Sequence, residues 1–200
     1  HIMAYLQLGN IIREDHPGQA IKIHQSLTVR PNISKELKVD IHQALALDYE
    51  KFTQFLKAKK EAEQILKIEK RNIWALQYLL FLSEKEENWD QAVGLTKQIQ
   101  KITGKHDPDD LARFQVYKGL EKLKSGFPDE AKSFFNKALK LLSKEQLAKC
   151  DLYILRVKRD KKNKWVRGLA KPCKGCMKAI AQHNIRNIFF TQDNDAKRKW

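Results

Sequence analysis

A chain of 200 residues that is 42% hydrophobic, with 8 Gly and 5 Pro, carries enough apolar material for a substantial core, which excludes a disordered chain. The longest apolar runs, such as Ile73 to Leu82, are broken by polar residues and fall short of the ~20 residues that span a bilayer. The net charge of +15 is uneven: residues 149–200 hold 15 Lys/Arg against 4 Asp/Glu, which leaves 24 against 20 for the first 148 residues. A shift of that size marks a compositional boundary near Gln146 to Lys149.

In chain order, His1-Ile2-Met3 reads as a cloning remnant, and direct entry into a helix reads as a cut inside a longer protein. From Ala4 onward the chain repeats. Four segments each hold a helix, a short turn and a second helix that opens on an alanine, namely Ala20, Ala58, Ala92 and Ala131. These alanines lie 38, 34 and 39 residues apart, which brackets the 34-residue tetratricopeptide period. Two helices cross closely only where one presents a small side chain, and alanine at the opening of the second helix supplies it.

In the second segment Leu45, Ala46, Tyr49, Ala58 and Ala62 follow the register of large, small, aromatic, small and contact position. In the fourth, Gly119, Gly126, Ala131, Phe135 and Ala138 do so. The first keeps Leu8-Gly9 with a turn one residue short, and the third has Leu79-Leu80 where leucine-glycine is expected. Pro128 sits where a helix can start without losing a needed N–H, and Gly104 suits a helix C-terminus. The expected fold is mainly α: a right-handed tetratricopeptide α-solenoid over 4–143, about four repeats, followed by a small α+β tail over 149–200.

Beyond the generic repeat, Ala4 to Lys140 resembles the lipopolysaccharide assembly protein B family. The residues that carry the resemblance are Leu8-Gly9-Asn10-Ile11-Ile12-Arg13, Gln19 to Leu27, Ala44 to Tyr49, Ala75 to Leu80, Trp89 and Ala92. The resemblance implies an adaptor that acts in regulating lipopolysaccharide assembly, with no catalytic centre. It also implies a cytoplasmic solenoid at the inner face of the inner membrane, with membrane contact only through an anchor outside this chain. A stack of helix pairs offers a concave face built from the first helix of each pair, where a partner protein or peptide segment lies. The expected partner-binding residues are Asn10, Arg13, Gln43, Gln77, Gln115 and Lys118, polar groups of the first helices that do not face the core.

The tail reads differently. Cys150 to Val157 is rich in strand formers, Trp165-Val166-Arg167 reads as a returning strand, a helix runs from Pro172-Cys173 to Gln182, and Asn187 to Thr191 reads as another strand. That order, with Pro-Cys-x-x-Cys at a helix start, resembles the second half of the zinc-dependent cytidine and deoxycytidylate deaminase fold. The resemblance implies zinc ligation by Cys173 and Cys176, to which Cys150 on the neighbouring strand adds a third thiol. The His-x-Glu half that would hold the proton shuttle is missing, so no deamination is expected from this chain alone. A deaminase relative that is incomplete in this chain stands as the alternative reading. A junction between two truncated domains near Leu142 to Lys149 stands as a third.

Three cysteines, one left over from any pair, point away from a disulfide framework and toward a cytoplasmic setting or a metal site. The basic run from Lys158 to Lys164 and the terminal Lys197-Arg198-Lys199, beside Trp165 and Trp200, raise nucleic acid as a second partner class.

Overall fold

The computed structural model describes residues 1–149 and, beyond them, 151–154, 156–159, 162, 165–169, 171, 174–182 and 185–190. The chain divides into two compact units, His1–Lys118 and Gly119–Trp200. The division falls within a helix, whereas the compositional break lies near Gln146 to Lys149. One follows packing and the other follows surface charge.

The first unit is built from α1 (Ile2–Ile12), α2 (Pro17–Thr28), α3 (Lys35–Lys51), α4 (Phe55–Ile68), α5 (Ile73–Lys85), α6 (Trp89–Thr103) and the first part of α7 (Pro108–Lys124). Consecutive helices pack on one another from α1 through α6, and α1 also touches α3. With short turns between the helices, this is the stacking of antiparallel helix pairs. Polar side chains start many of the helices: Ser34 accepts from the Leu37 N–H, Asn72 from Ala75 and Asn88 from Gln91. Pro17 and Pro128 occupy the first turns of α2 and of α8 (Pro128–Leu141), where their missing N–H is not needed. Gly104 closes α6 in the left-handed region at φ 69°.

The alanines that mark the repeat are all shut off from solvent: Ala20, Ala58, Ala92 and Ala131 are each 0% exposed. Five residues before three of them, Thr53, Glu87 and Gly126 take positive φ (57°, 53° and 84°). The N–H that follows each one reaches back five residues, Gln54 to the Tyr49 carbonyl, Asn88 to Ser83 and Phe127 to Lys122, at 2.7, 2.8 and 2.9 Å. That is one Schellman-type stop written three times. The first turn, one residue shorter, has no positive-φ residue and closes through the His16 N–H to the Ile12 carbonyl at 2.7 Å.

The first and the fourth pair are locked by a complementary exchange of volume. A Cβ added to Gly9 would lie 2.4 Å from His24 Nε2, and one added to Gly119 would lie 2.4 Å from Phe135 Cε1. A ring from the second helix therefore fills the hollow left by each glycine. The same register sets Ala46 against Ala62 and Leu80 against Thr96, so the third pair keeps a leucine on the first helix and a small residue on the second. Around these contacts Leu6, Ile21, Leu27, Ile41, Leu45, Leu76, Leu79, Leu82 and Leu95 form the core of the first unit.

Among the described residues the second unit contains the rest of α7, α8, the short α9 (Lys144–Leu147), four strands and α10 (Lys174–Gln182). Ser143 and Gln146 close a capping box on α9. Strands β1 (Asp151–Ile154) and β4 (Asn187–Phe190) pair in parallel, and β2 (Arg156–Arg159) and β3 (Trp165–Gly168) pair antiparallel. The single strand expected over Cys150 to Val157 is thus shared between two two-stranded sheets. Arg186 clamps Asp151 through Nε and Nη2 at 3.0 Å each, and the Asn187 amide adds a third bond at 2.9 Å.

Candidate functional site

The expected partner-binding residues lie on the first helices of the pairs, in two different settings. Asn10 and Arg13, at the C-terminal end of α1, belong to an internal polar cluster. Arg13 Nε donates to Asp48 Oδ1 at 2.5 Å, and its Nη2 donates to Asn10 Oδ1 at 2.6 Å and to the Ala44 carbonyl at 3.4 Å. Asp48 is fully buried, and its second oxygen lies 2.5 Å from His24 Nδ1. The other ring nitrogen of His24 faces the Leu6 carbonyl at 3.0 Å. His24, itself fully buried, thus sits between two acceptors on α1 and α3. Removing His24 or Arg13 would leave an oxygen of the buried Asp48 without its partner, and removing Asp48 would strip both of theirs. The rim of this cluster is Arg13, whose side chain is 16% exposed.

Gln43 on α3 is half-buried, Gln77 on α5 is exposed and Gln115 on α7 is half-buried. Lys118 is ion-paired with Asp90. Tyr78, in the same layer, donates its hydroxyl to the Ala46 carbonyl at 3.2 Å and ties α5 to α3. Burial, followed by the neighbouring Glu50, pushes its phenol well above the ordinary tyrosine range.

Between successive first helices runs a ladder of cations. Lys51 pairs with Glu14, Lys85 Nζ lies 3.8 Å from Glu50 Oε1, and Arg113 Nη2 lies 3.1 Å from Glu84 Oε1. In each rung the later helix offers the cation; the carboxylate comes from the earlier helix at Glu50 and Glu84 and from the turn that follows α1 at Glu14. Lys85 also lies over the rings of Phe55 and Phe81, at 4.9 and 4.5 Å from their centroids. A cavity of about 390 Å³ opens here, lined among others by Arg13, Leu47, Lys51, Phe55 and Lys85. It combines apolar wall with charge that is already compensated, a surface suited to an extended segment of mixed character.

Sequence reasoning missed His24 and Asp48 as members of the site. The available signal was that His24 stands in the register of Phe135, opposite a glycine. Of the three thiols expected to bind zinc, Cys150 and Cys173 lie outside the described residues and Cys176 falls within α10. Among the described residues, no group of three or more His, Cys, Asp or Glu is placed to hold a metal ion. Pro172, the other half of the deaminase signature, also lies outside them, as do Lys161, Lys164 and the basic terminus at 197–199. No helix among the described residues is long and apolar enough to cross a membrane.

The chain matches no protein-family model. It is 33% identical over 113 residues to lipopolysaccharide assembly protein B of Haemophilus influenzae, an alignment that covers 55% of this chain and 28% of that protein. It is similar to that protein. Against lipopolysaccharide assembly protein B of Escherichia coli K12 it is 26% identical over 137 residues, covering 68% of this chain and 35% of the relative. The chain therefore spans about a third of the length of the curated relatives it matches. Among solved structures, a crystal structure of MamA aligns with a TM-score of 0.46 at 20% identity, over 70% of this chain and 73% of that one.

Proposed function

We propose that this chain is a protein-interaction scaffold whose tetratricopeptide pairs hold a segment of a partner protein along the first helices, α1, α3, α5 and α7. The observation that carries the reading is the similarity to lipopolysaccharide assembly protein B over the helix-pair region, in a chain whose repeat-marking alanines are all buried. The contact groups are Gln43, Gln77 and Gln115, with Asn10, Arg13 and Lys118 at the edges. An amide offers one donor and one acceptor side, which suits a partner backbone. Arg13 is held by Asp48 and presents its guanidinium already oriented, so a partner carboxylate meets a fixed fork rather than a mobile chain. The finer reading places the scaffold in lipopolysaccharide assembly.

The test uses immobilised protein and detergent extracts of Escherichia coli. The wild-type chain retains a defined protein, and the Gln43→Glu/Gln77→Glu variant retains at least ~10-fold less, a loss of about 1.4 kcal/mol. The melting temperature stays the same. Equal retention by the variant rejects the assigned face. A retained set with no component of lipopolysaccharide assembly rejects the finer reading and leaves the scaffold.

A further inference from the structure

On the side of the second helices, where α2 and α4 begin, lies a pocket of about 550 Å³, apart from the groups proposed to contact a partner on the first helices. Its walls include His16, Lys22, Tyr49, Phe52, Gln54 and Lys57, and no carboxylate lines it. Lys57 Nζ lies 5.5 Å from the centroid of the Tyr49 ring, and the Tyr49 hydroxyl accepts from the Gln25 amide at 2.8 Å. Glu61 is close enough to help raise the Tyr49 phenol, after burial itself, but its carboxylate is held by His42 Nδ1 at 2.7 Å. Phe52 is 46% exposed and gives the pocket an apolar flank. Both helices begin here without a side-chain cap, at His16 and Gln54, so their first N–H groups add to the positive field.

One further feature separates this pocket from a patch that merely attracts anions. Gln54 Oε1 is buried from water and has no hydrogen-bond partner, a defect that ordinarily costs ~1–3 kcal/mol. A turn of the terminal amide toward the pocket would let it accept from a ligand. The occupant must therefore bring negative charge for Lys22 and Lys57, an apolar body for Tyr49 and Phe52, and a hydrogen-bond donor for Gln54. A simple anion lacks the last two, whereas a peptide has an N–H at every residue other than proline.

We infer that this pocket is a second docking site, for an acidic peptide segment of a protein partner in which a carboxylate neighbours an aromatic side chain. It stands independently of the surface on the first helices. A bilateral scaffold of this kind would hold two segments at once, one on each side of the stacked pairs.

The experiment follows backbone amide resonances of the full chain during titration with the blocked tripeptide acetyl-Glu-Phe-Glu-amide. Saturable shifts are expected at Gly18, Gln19, Gln54 and Lys57, and acetyl-Gln-Phe-Gln-amide should bind at least ~10-fold more weakly. Lys22 and Lys57 are exposed, so the Lys22→Glu/Lys57→Glu variant keeps its fold, checked by circular dichroism, and loses at least ~10-fold in affinity. The Phe52→Ala variant should weaken binding of the acidic tripeptide while leaving its salt dependence intact. Unsaturable shifts, equal binding by the doubly reversed variant, or shifts confined to α1, α3 and α5 would each overturn the assignment. Displacement of the tripeptide by inorganic phosphate at the same concentration would also overturn it, because charge alone would then account for binding.

Discussion

The hollow behind Gly9 and the hollow behind Gly119 are made by the same device and filled by opposite chemistry. At Gly119 a phenyl ring, Phe135, completes the contact. At Gly9 the imidazole of His24 does so, and it brings Asp48, Arg13, Asn10 and the Leu6 carbonyl with it. Opposite a glycine the geometry asks only for a flat side chain. What that side chain is decides whether the lock stays within one pair or reaches the next, since Asp48 belongs to α3. The polar version adds no apolar burial over the phenyl one. It gains linkage, because the rim of the cluster is the surface assigned to partner contact.

Breaking the polar lock gives the largest effect. Asp48→Ala leaves Arg13 and His24 without their carboxylate in a buried setting and should cost ~3–5 kcal/mol, read from urea unfolding. The comparison sharpens if the hollow at Gly9 becomes apolar: His24→Phe with Asp48→Leu should recover the share of that loss that falls on His24, while Arg13 still lacks its carboxylate. His24→Phe alone should remain destabilised. Should the double variant prove as unstable as Asp48→Ala, the hollow at Gly9 is not interchangeable with that at Gly119.

Gly9→Ala and Gly119→Ala come next, each placing a methyl against a ring and costing ~1–3 kcal/mol. The buried His24 is held at both nitrogens, so the Gly9 variant should suffer more, as a difference in melting temperature would show. A smaller effect of opposite sign is expected in the turns. Thr53→Gly and Glu87→Gly relieve left-handed strain and should stabilise by up to ~1 kcal/mol, while Gly126→Ala should lose about as much.

The smallest effect concerns charge in the second unit. Arg186, then Asn187, hold the Asp151 carboxyl below its ordinary range. A depressed carboxylate stabilises the fold above its unfolded value and loses that contribution as pH falls through the folded one. Arg186→Ala should therefore move the Asp151 titration, followed by carboxyl carbon resonances, upward toward the ordinary aspartate value. An unmoved titration would show that the clamp is absent in solution.

The helix pairs were legible because close helix crossings restrict volume, and volume is written residue by residue. Ala20, Ala58, Ala92 and Ala131 announce the repeat, and Gly119 with Phe135 announces its packing. The cluster of His24, Asp48 and Arg13 was not legible, because its members come from three helices and each alone reads as ordinary polar surface. Asn10 and Arg13 stand at the expected helix, but nothing in their own spacing announces that Asp48 holds Arg13, which in turn holds Asn10. The turn residues Thr53 and Glu87 were also hidden, since neither is a residue that favours positive φ. The strand expected from Cys150 onward was read as one run, because strand propensity says nothing about which partner each half will choose.

The rungs Lys51–Glu14, Lys85–Glu50 and Arg113–Glu84 all point the same way along the chain. Exposed pairs of this kind add little to stability, but they make the joint between neighbours directional. A helix pair cut out and spliced elsewhere would fit electrically only if it showed an acid to its successor and a base to its predecessor. A reversed module would bring like charges together, whereas modules exchanged in the same direction would still match. Anyone lengthening this stack of helix pairs must copy that polarity along with the alanines.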